Sequence, residues 1–358
     1  MPVHNFNAGP AVLPAPVLRQ VQEELVEHPD LGLSIMEISH RSKQFDAILD
    51  HAENGLRRLL GLPDDFAVLF LGGGASLQFS MMPMNLLVDG ARADYIVNGS
   101  WGVKALQEAQ KVGAARLAAS TKDSAYRRVP SESEISLDEA AKYVHFTSNE
   151  TIEGVQWRRE PETNGIPLVC DASSDIMSRP LDISKYGLIY AGAQKNIGPS
   201  GVTVVILRRD WAQPRAELGT MLSYSTHVKD RSLYNTPNTF GIYMIGYVCD
   251  WIENLGGLEG MKKRAEAKAG AIYEVIDGSD FYRGHAEKPD RSLMNVTFRL
   301  PSEELDAKFA SEAQKAGMIG LKGHRSVGGL RASIYNALEP ASVQVLTDFM
   351  REFERTNG

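Results

Sequence analysis

Lys195 stands in the stretch AGAQKNIGPSG, after the apolar run Leu188-Ile189-Tyr190 and before two glycines and a proline. Lysines are seldom buried unless they are paired or used. A desolvated lysine has a depressed pKa and can form a Schiff base with an aldehyde cofactor. Taken alone, it also fits an ion pair at a strand end. Asp171 closes the run PLVC and so ends the preceding strand. A carboxylate there can hold a protonated pyridine nitrogen, which pyridoxal phosphate needs to act as an electron sink. Alone, it fits equally a cap on the turn DASSD. An aspartate ending one strand and a lysine ending the next have the arrangement of a pyridoxal phosphate site.

Other residues extend that chemistry. LGGGASLQFS, from Leu71 to Ser80, reads as a strand, a glycine turn and a helix start at Ala75 and Ser76. Alone, the glycine run fits a tight turn; beside Lys195 and Asp171, its free N–H groups and the positive helix end make an anion site suited to the cofactor phosphate. The run is neither GxGxxG nor a P-loop, since the P-loop lysine is missing. Trp101, in NGSWG, can stack on a pyridine ring or pack beneath a loop. Thr151, in SNETIEG, can hydrogen-bond the phenolic oxygen of the cofactor or cap a helix. Gln194 offers an amide beside the lysine. His40-Arg41, His324-Arg325 and Arg331 lack obvious acidic neighbours and suit a multiply anionic substrate. His51 and His145 read as helix-face or core residues. No histidine spacing indicates a metal.

These residues need a frame that gathers strand ends. Phe66–Leu71, Asp94–Asn98, Tyr143–Thr147, Ile166–Asp171, Gly187–Gly192 and Val202–Leu207 read as buried strands. Helices are expected at Pro16–Glu27, Ser42–Leu60, Ser76–Leu87, Gly102–Val112 and Ser136–Ala141. Such alternation implies an α/β fold with a mainly parallel sheet, covered on both faces, that binds ligands at its carboxyl edge. The tail changes character. Gly257–Asp277, Ser302–Gly317 and Pro340–Thr356 read as helices around strands at Ser292–Leu300 and Gly329–Asn336, a compact α+β unit.

Composition narrows the class. The 358 residues suffice for two domains, and 43% hydrophobic with 23% charged residues is ordinary for a soluble globular chain. A net charge of −7 argues against general binding to nucleic acid or an anionic membrane. The two cysteines, Cys170 and Cys249, form no disulfide framework, which suits a reducing cytosol. No secretory signal or membrane span is expected.

Read in order, NFNAGPAVLP, MEISHRSKQF, FLGGGASLQF, NGSWG, SNETIEGVQW, CDASSD, AGAQKNIGPSG, YNTPNTFGIY and GHRSVGGLRASIYNA resemble the phosphoserine aminotransferase family of the class V aminotransferases. The resemblance spans nearly the whole chain. It implies the type I pyridoxal-phosphate-dependent aminotransferase fold, with a seven-stranded sheet, and a homodimer. Residues 16–260 would form the large cofactor domain, and residues 1–15 with 261–358 the small one. Lys195 would be the Schiff-base lysine and Asp171 the pyridinium partner. Trp101 would stack on the ring, Thr151 would contact its oxygen, and Ala75, Ser76, Ser173 and Gln194 would line the cofactor. Asn235 and Thr236 would reach the phosphate of the other subunit. His40, Arg41, His324, Arg325 and Arg331 would hold substrate anions. Ser76 stands where some members have arginine, which leaves more of the phosphate to backbone N–H groups.

The implied reaction takes the amino group of L-glutamate to 3-phosphohydroxypyruvate, giving 2-oxoglutarate and O-phospho-L-serine. Some members also aminate a four-carbon analogue, giving 4-phosphohydroxy-L-threonine for pyridoxine. A desulfurase would need a mobile reactive cysteine, and an alanine–glyoxylate enzyme fewer cations. A non-catalytic cofactor- or phosphate-binding module would not need both Lys195 and Asp171. A dehydrogenase of the Rossmann type would need GxGxxG.

Overall fold

The computed structural model describes residues 3–358. Its centre is a seven-stranded sheet. In spatial order the strands are Phe66–Leu71, Thr203–Arg208, Tyr186–Gly192, Leu168–Asp171, Tyr143–Thr147, Arg92–Val97 and Ala114–Ser120. Thr203–Arg208 runs antiparallel to both its neighbours, and the remaining pairings are parallel. One direction therefore dominates, and the carboxyl ends of the other strands share an edge.

Period-two alternation sorts the strand side chains between two cores. Val68, Phe70, Phe146, Ile189 and Val204 pack on one face with Phe45, Leu49, Ile245 and Cys249. Those four come from the helices Lys43–Leu60 and Thr239–Asn254. Leu69, Tyr95, Val169, Leu188 and Val205 pack on the other face with residues of Gly74–Leu86 and Ser100–Val112. Helix covers on both faces explain why the strands read as continuous apolar runs.

A separate core holds the C-terminal elements. Phe298, Phe309, Leu346 and Phe353 pack there with Phe6 from the far end of the chain. His4–Asn5 pairs in parallel with Met318–Ile319. Burying one phenylalanine contributes about 2–3 kcal/mol, enough with that pairing to fix a short segment. The consequence is local: Ala8 and Gly9 follow directly and wall the cavity described below.

One expectation needs correction, and one strand was not expected. Ser136–Ala141 is not a helix. Its backbone is drawn to the sheet edge instead: Ser136 N–H donates to the Ala118 carbonyl at 3.0 Å, and Asp138 N–H donates to the Asp94 carboxylate at 2.6 Å. A six-residue helix cannot outweigh such partners. Ala114–Ser120 (AARLAAS) is an edge strand that the sequence reading passed over. Its alanines carry little strand preference. Among the described residues no helix is long and apolar enough to cross a membrane.

Candidate active site

The shared carboxyl edge holds a cavity of about 290 Å³, the small end of the usual range for ligand sites. Ala75, Ser76, Trp101, Thr151, Asp171, Ser173, Gln194, Lys195, His324 and Arg331 all line it.

Lys195 follows the strand Tyr186–Gly192 and is held in a closed loop. Ala193 N–H donates to the Val202 carbonyl at 2.9 Å, and the N–H groups of Ile197 and Gly198 return to the Ala193 carbonyl. The Gln194 carbonyl accepts from Ala11 N–H at 2.9 Å. Asn196 donates to the Ser174 carbonyl and accepts from Asn336 N–H at 3.0 Å. Lys195 Nζ donates to Thr151 Oγ1 at 2.8 Å. Burial pulls the ammonium down to about 8, against the opposing pull of Asp171. Thr151 is thereby a partner of the lysine, and its carbonyl accepts from Arg331 at 3.3 Å.

Asp171 ends its strand beside Thr147 and Tyr190. Its carboxylate accepts from Ser173 N–H at 3.0 Å and Ser173 Oγ at 2.6 Å, while Ser173 Oγ accepts from Gly192 N–H. Burial pushes this carboxyl up, and the Ser173 bonds and Lys195 hold it back. A cationic ring nitrogen would relieve that burial by supplying an opposite charge.

At the Phe66–Leu71 end the chain turns through Gly73 and Gly74, whose φ of 85° and 66° suit glycine. Leu77 N–H closes the first helical turn onto the Gly73 carbonyl. The N–H groups of Gly74, Ala75 and Ser76 therefore lack partners within the helix Gly74–Leu86. Trp101, in the first turn of Ser100–Val112, keeps a buried Nε1 without a hydrogen-bond partner. Lys195 Nζ is 5.7 Å from its ring centroid, and Lys104 Nζ lies over the ring at 4.2 Å. An anion-ready helix start, a buried carboxylate and a partly discharged lysine fit the phosphate, ring nitrogen and aldehyde of pyridoxal phosphate.

The remaining expected residues sit elsewhere in this chain. Arg325 lines an adjoining hollow of about 560 Å³ that shares His324. Asn235 and Thr236 line a third cavity of about 240 Å³ with Gly72 and Gly201. His40 and Arg41 lie outside all three, between the helices Ala15–Glu24 and Lys43–Leu60. Among the described residues, none of His40, Arg41, Arg325 and Arg331 lies within ion-pairing distance of a carboxylate. His145 is buried in its strand against Tyr190, and His51 pairs with Asp250 on the helical face. Both cysteines are buried, Cys170 in a strand and Cys249 in a helix.

Four features escaped the sequence reading. Lys104 adds a cation beside Trp101. Asn149 is buried at the cavity and bonds Ser174 and Asn295. Glu150 and Glu153 are buried carboxylates facing the start of Ser100–Val112. Burial raises both, and the charge of Glu153 raises Glu150 further. Their signal was available, since SNETIEG places two glutamates in a segment otherwise read only for its threonine.

The sequence model of the class-V aminotransferases matches residues 3–346. A relative from Herpetosiphon aurantiacus, named phosphoserine aminotransferase, is 54% identical over 360 residues, covering 100% of each chain. The solved structure of phosphoserine aminotransferase from Bacillus circulans subsp. alkalophilus superposes with a TM-score of 0.97 at 52% identity, covering 99% of both chains. The pyridoxal-phosphate-bound phosphoserine aminotransferase of Trichomonas vaginalis gives 0.93 at 36% identity, over 98% of this chain and 99% of that one.

Proposed function

Because the chain belongs to the class-V aminotransferase family, we propose that it transfers the amino group of L-glutamate to 3-phosphohydroxypyruvate, yielding 2-oxoglutarate and O-phospho-L-serine. Its fold is the type I aminotransferase fold, and its cofactor is pyridoxal phosphate. The carrying observation is the placement of Lys195, Asp171 and the free Gly74–Ser76 N–H groups around one cavity, with Arg331 beside them. Bound there, pyridoxal phosphate supplies an electron sink for the carbanion formed at the amino-acid α-carbon.

The residues supply the rest. Lys195 Nζ anchors the cofactor between turnovers. Once released, it takes the proton from the donor α-carbon and delivers one to the acceptor α-carbon, as base and then acid. Asp171 keeps the ring nitrogen protonated. Thr151 serves the ring oxygen, Trp101 covers the ring, and Ser173 and Gln194 complete the lining. Ala75 and Ser76 hold the phosphate through N–H groups. Arg331 and His324 bind substrate anions from this chain.

His40, Arg41 and Arg325 complete that cationic set in a homodimer, and Asn235 and Thr236 reach the partner's phosphate. Their position outside the Lys195 cavity supports this reading. Residues 16–260 would form the large domain, and 1–15 with 261–358 the small one, residues 1–2 lying outside the described residues; the separate core around Phe6 and Phe309 supports that division. The same cations suit the four-carbon phosphorylated analogue that yields 4-phosphohydroxy-L-threonine. A role in serine supply, with a pyridoxine branch, is in keeping with a cytoplasmic enzyme.

Absorbance of the purified protein tests the reading. The band of bound cofactor should change on adding L-glutamate and, separately, O-phospho-L-serine. A response to glutamate alone would remove the phosphoserine assignment. Lys195→Ala should keep the far-ultraviolet circular dichroism and lose turnover; a normal rate in that variant would refute the lysine's role.

A further inference from the structure

Two helices begin at the edge of the cavity, and each presents N–H groups and a positive dipole end. Gly74–Leu86 leaves its first N–H groups open. Ser100–Val112 does not. Ser100 N–H and Oγ both donate to Glu153 Oε1, at 3.1 and 2.5 Å. Trp101 N–H donates to Glu150 Oε2 at 3.0 Å, and Gly102 N–H to Glu150 Oε1 at 2.8 Å. Every orphan donor of that first turn is thus taken by a carboxylate from outside the helix.

Both carboxylates are buried, Glu150 at 0% and Glu153 at 2% exposure. They belong to the segment that carries Thr151, the partner of Lys195. Gly99 makes room, since a Cβ there would collide with the Glu150 side chain. A serine or aspartate at the N-cap would satisfy one of these donors at little cost. Two adjacent buried carboxylates are a costly alternative, so their placement calls for more than capping.

We propose that Glu150 and Glu153 are positioning residues that close the Ser100 helix start to anions and lock Trp101 to the Thr151 segment. The helix start of Gly74 is then the one left open to hold the cofactor phosphate, and Trp101 is fixed where it would cover the ring whose nitrogen Asp171 would hold. The inference rests on the pyridoxal phosphate reading above.

The test uses the holoenzyme and its Glu150→Ala, Glu150→Gln and Trp101→Phe variants. Visible circular dichroism per bound cofactor reports how the ring is held, and equilibrium dialysis gives the cofactor Kd. Glu150→Ala should weaken the dichroic band and raise Kd about tenfold, the worth of one good hydrogen bond. Glu150→Gln, which keeps the shape and one acceptor, should fall between. The double variant Trp101→Phe, Glu150→Ala should lose little beyond Trp101→Phe alone, because Glu150 acts through that ring. Inorganic phosphate should raise the Tm of Glu150→Ala more than that of wild type, by filling the vacated helix start. If Glu150→Ala does not fold, Glu150→Gln carries the measurements. Unchanged dichroism and Kd in the glutamate variants, or fully additive losses in the double variant, would overturn the proposal. A wild-type protein that binds no cofactor would instead overturn the reading beneath it.

Discussion

The amine of Lys195 owes its chemistry to burial. With its pKa drawn down to about 8, it is mostly charged below that pH and mostly neutral above it. Only the neutral amine attacks an aldehyde. The rate at which cofactor-free protein captures pyridoxal phosphate should therefore rise with pH through about 8 and then level off; stopped-flow absorbance would show this. A surface lysine would keep rising toward its ordinary pKa of about 10.4. Arg331 is half-buried, lies near the Glu153 carboxylate without pairing to it, and keeps an unpartnered Nε. Arg331→Ala should raise substrate KM by about 10- to 100-fold, the loss expected for a charge-assisted bond, with the cofactor band retained. Loss of only that band would contradict the role. Lys195 and Asp171 were legible because strand ends in a parallel sheet converge. SNETIEG shows the two glutamates Glu150 and Glu153, but not that they meet the start of Ser100–Val112, because that helix lies about fifty residues earlier in the chain.

Elements depend on partners just as residues do. Lys268, in the helix Gly257–Asp277, is 2% exposed and donates to the carbonyls of Tyr335, Asn336 and Leu338 at 2.5, 3.4 and 3.0 Å. It ties that helix to the segment between the strand Leu330–Ser333 and the helix Pro340–Asn357. Lys268→Met keeps the apolar stem but removes the donor shared by three carbonyls, of which that of Tyr335 still accepts from Leu338 N–H. It should cost about 2–4 kcal/mol, visible as a lower midpoint in urea at unchanged m. A midpoint equal to wild type would mean that water replaces the amine. The long periodic helices and buried strands could be read from the sequence because their own side chains dictate them. Ala114–Ser120 and Ser136–Ala141 could not, since the sheet edge decides both. The first gains a neighbour despite weak propensity, and the second loses its N–H groups to Ala118 and Asp94.

At the scale of the molecule, the cavity draws on both ends of the chain and on the central sheet. A second copy is expected to supply Asn235 and Thr236. Subunits carrying Lys195→Ala can be mixed with subunits carrying Asn235→Ala to test this. In the mixed dimer one site has both residues intact, so about half the wild-type activity per dimer should return. If Asn235 served its own chain, no mixed dimer would contain an intact site and activity would stay at the level of the parents. The loop bearing Lys195 has a further consequence. Its root is stapled by Val202, by Ala11 and, through Asn196, by Ser174 and Asn336. With the backbone pinned from three directions, the amine can travel only by turning its own methylene chain. Taking a proton from a substrate α-carbon, or returning one there, then requires rotations on the picosecond-to-nanosecond scale and no displacement of the loop. Thickening the solvent with sucrose should leave that step untouched, whatever it does to substrate entry and product exit.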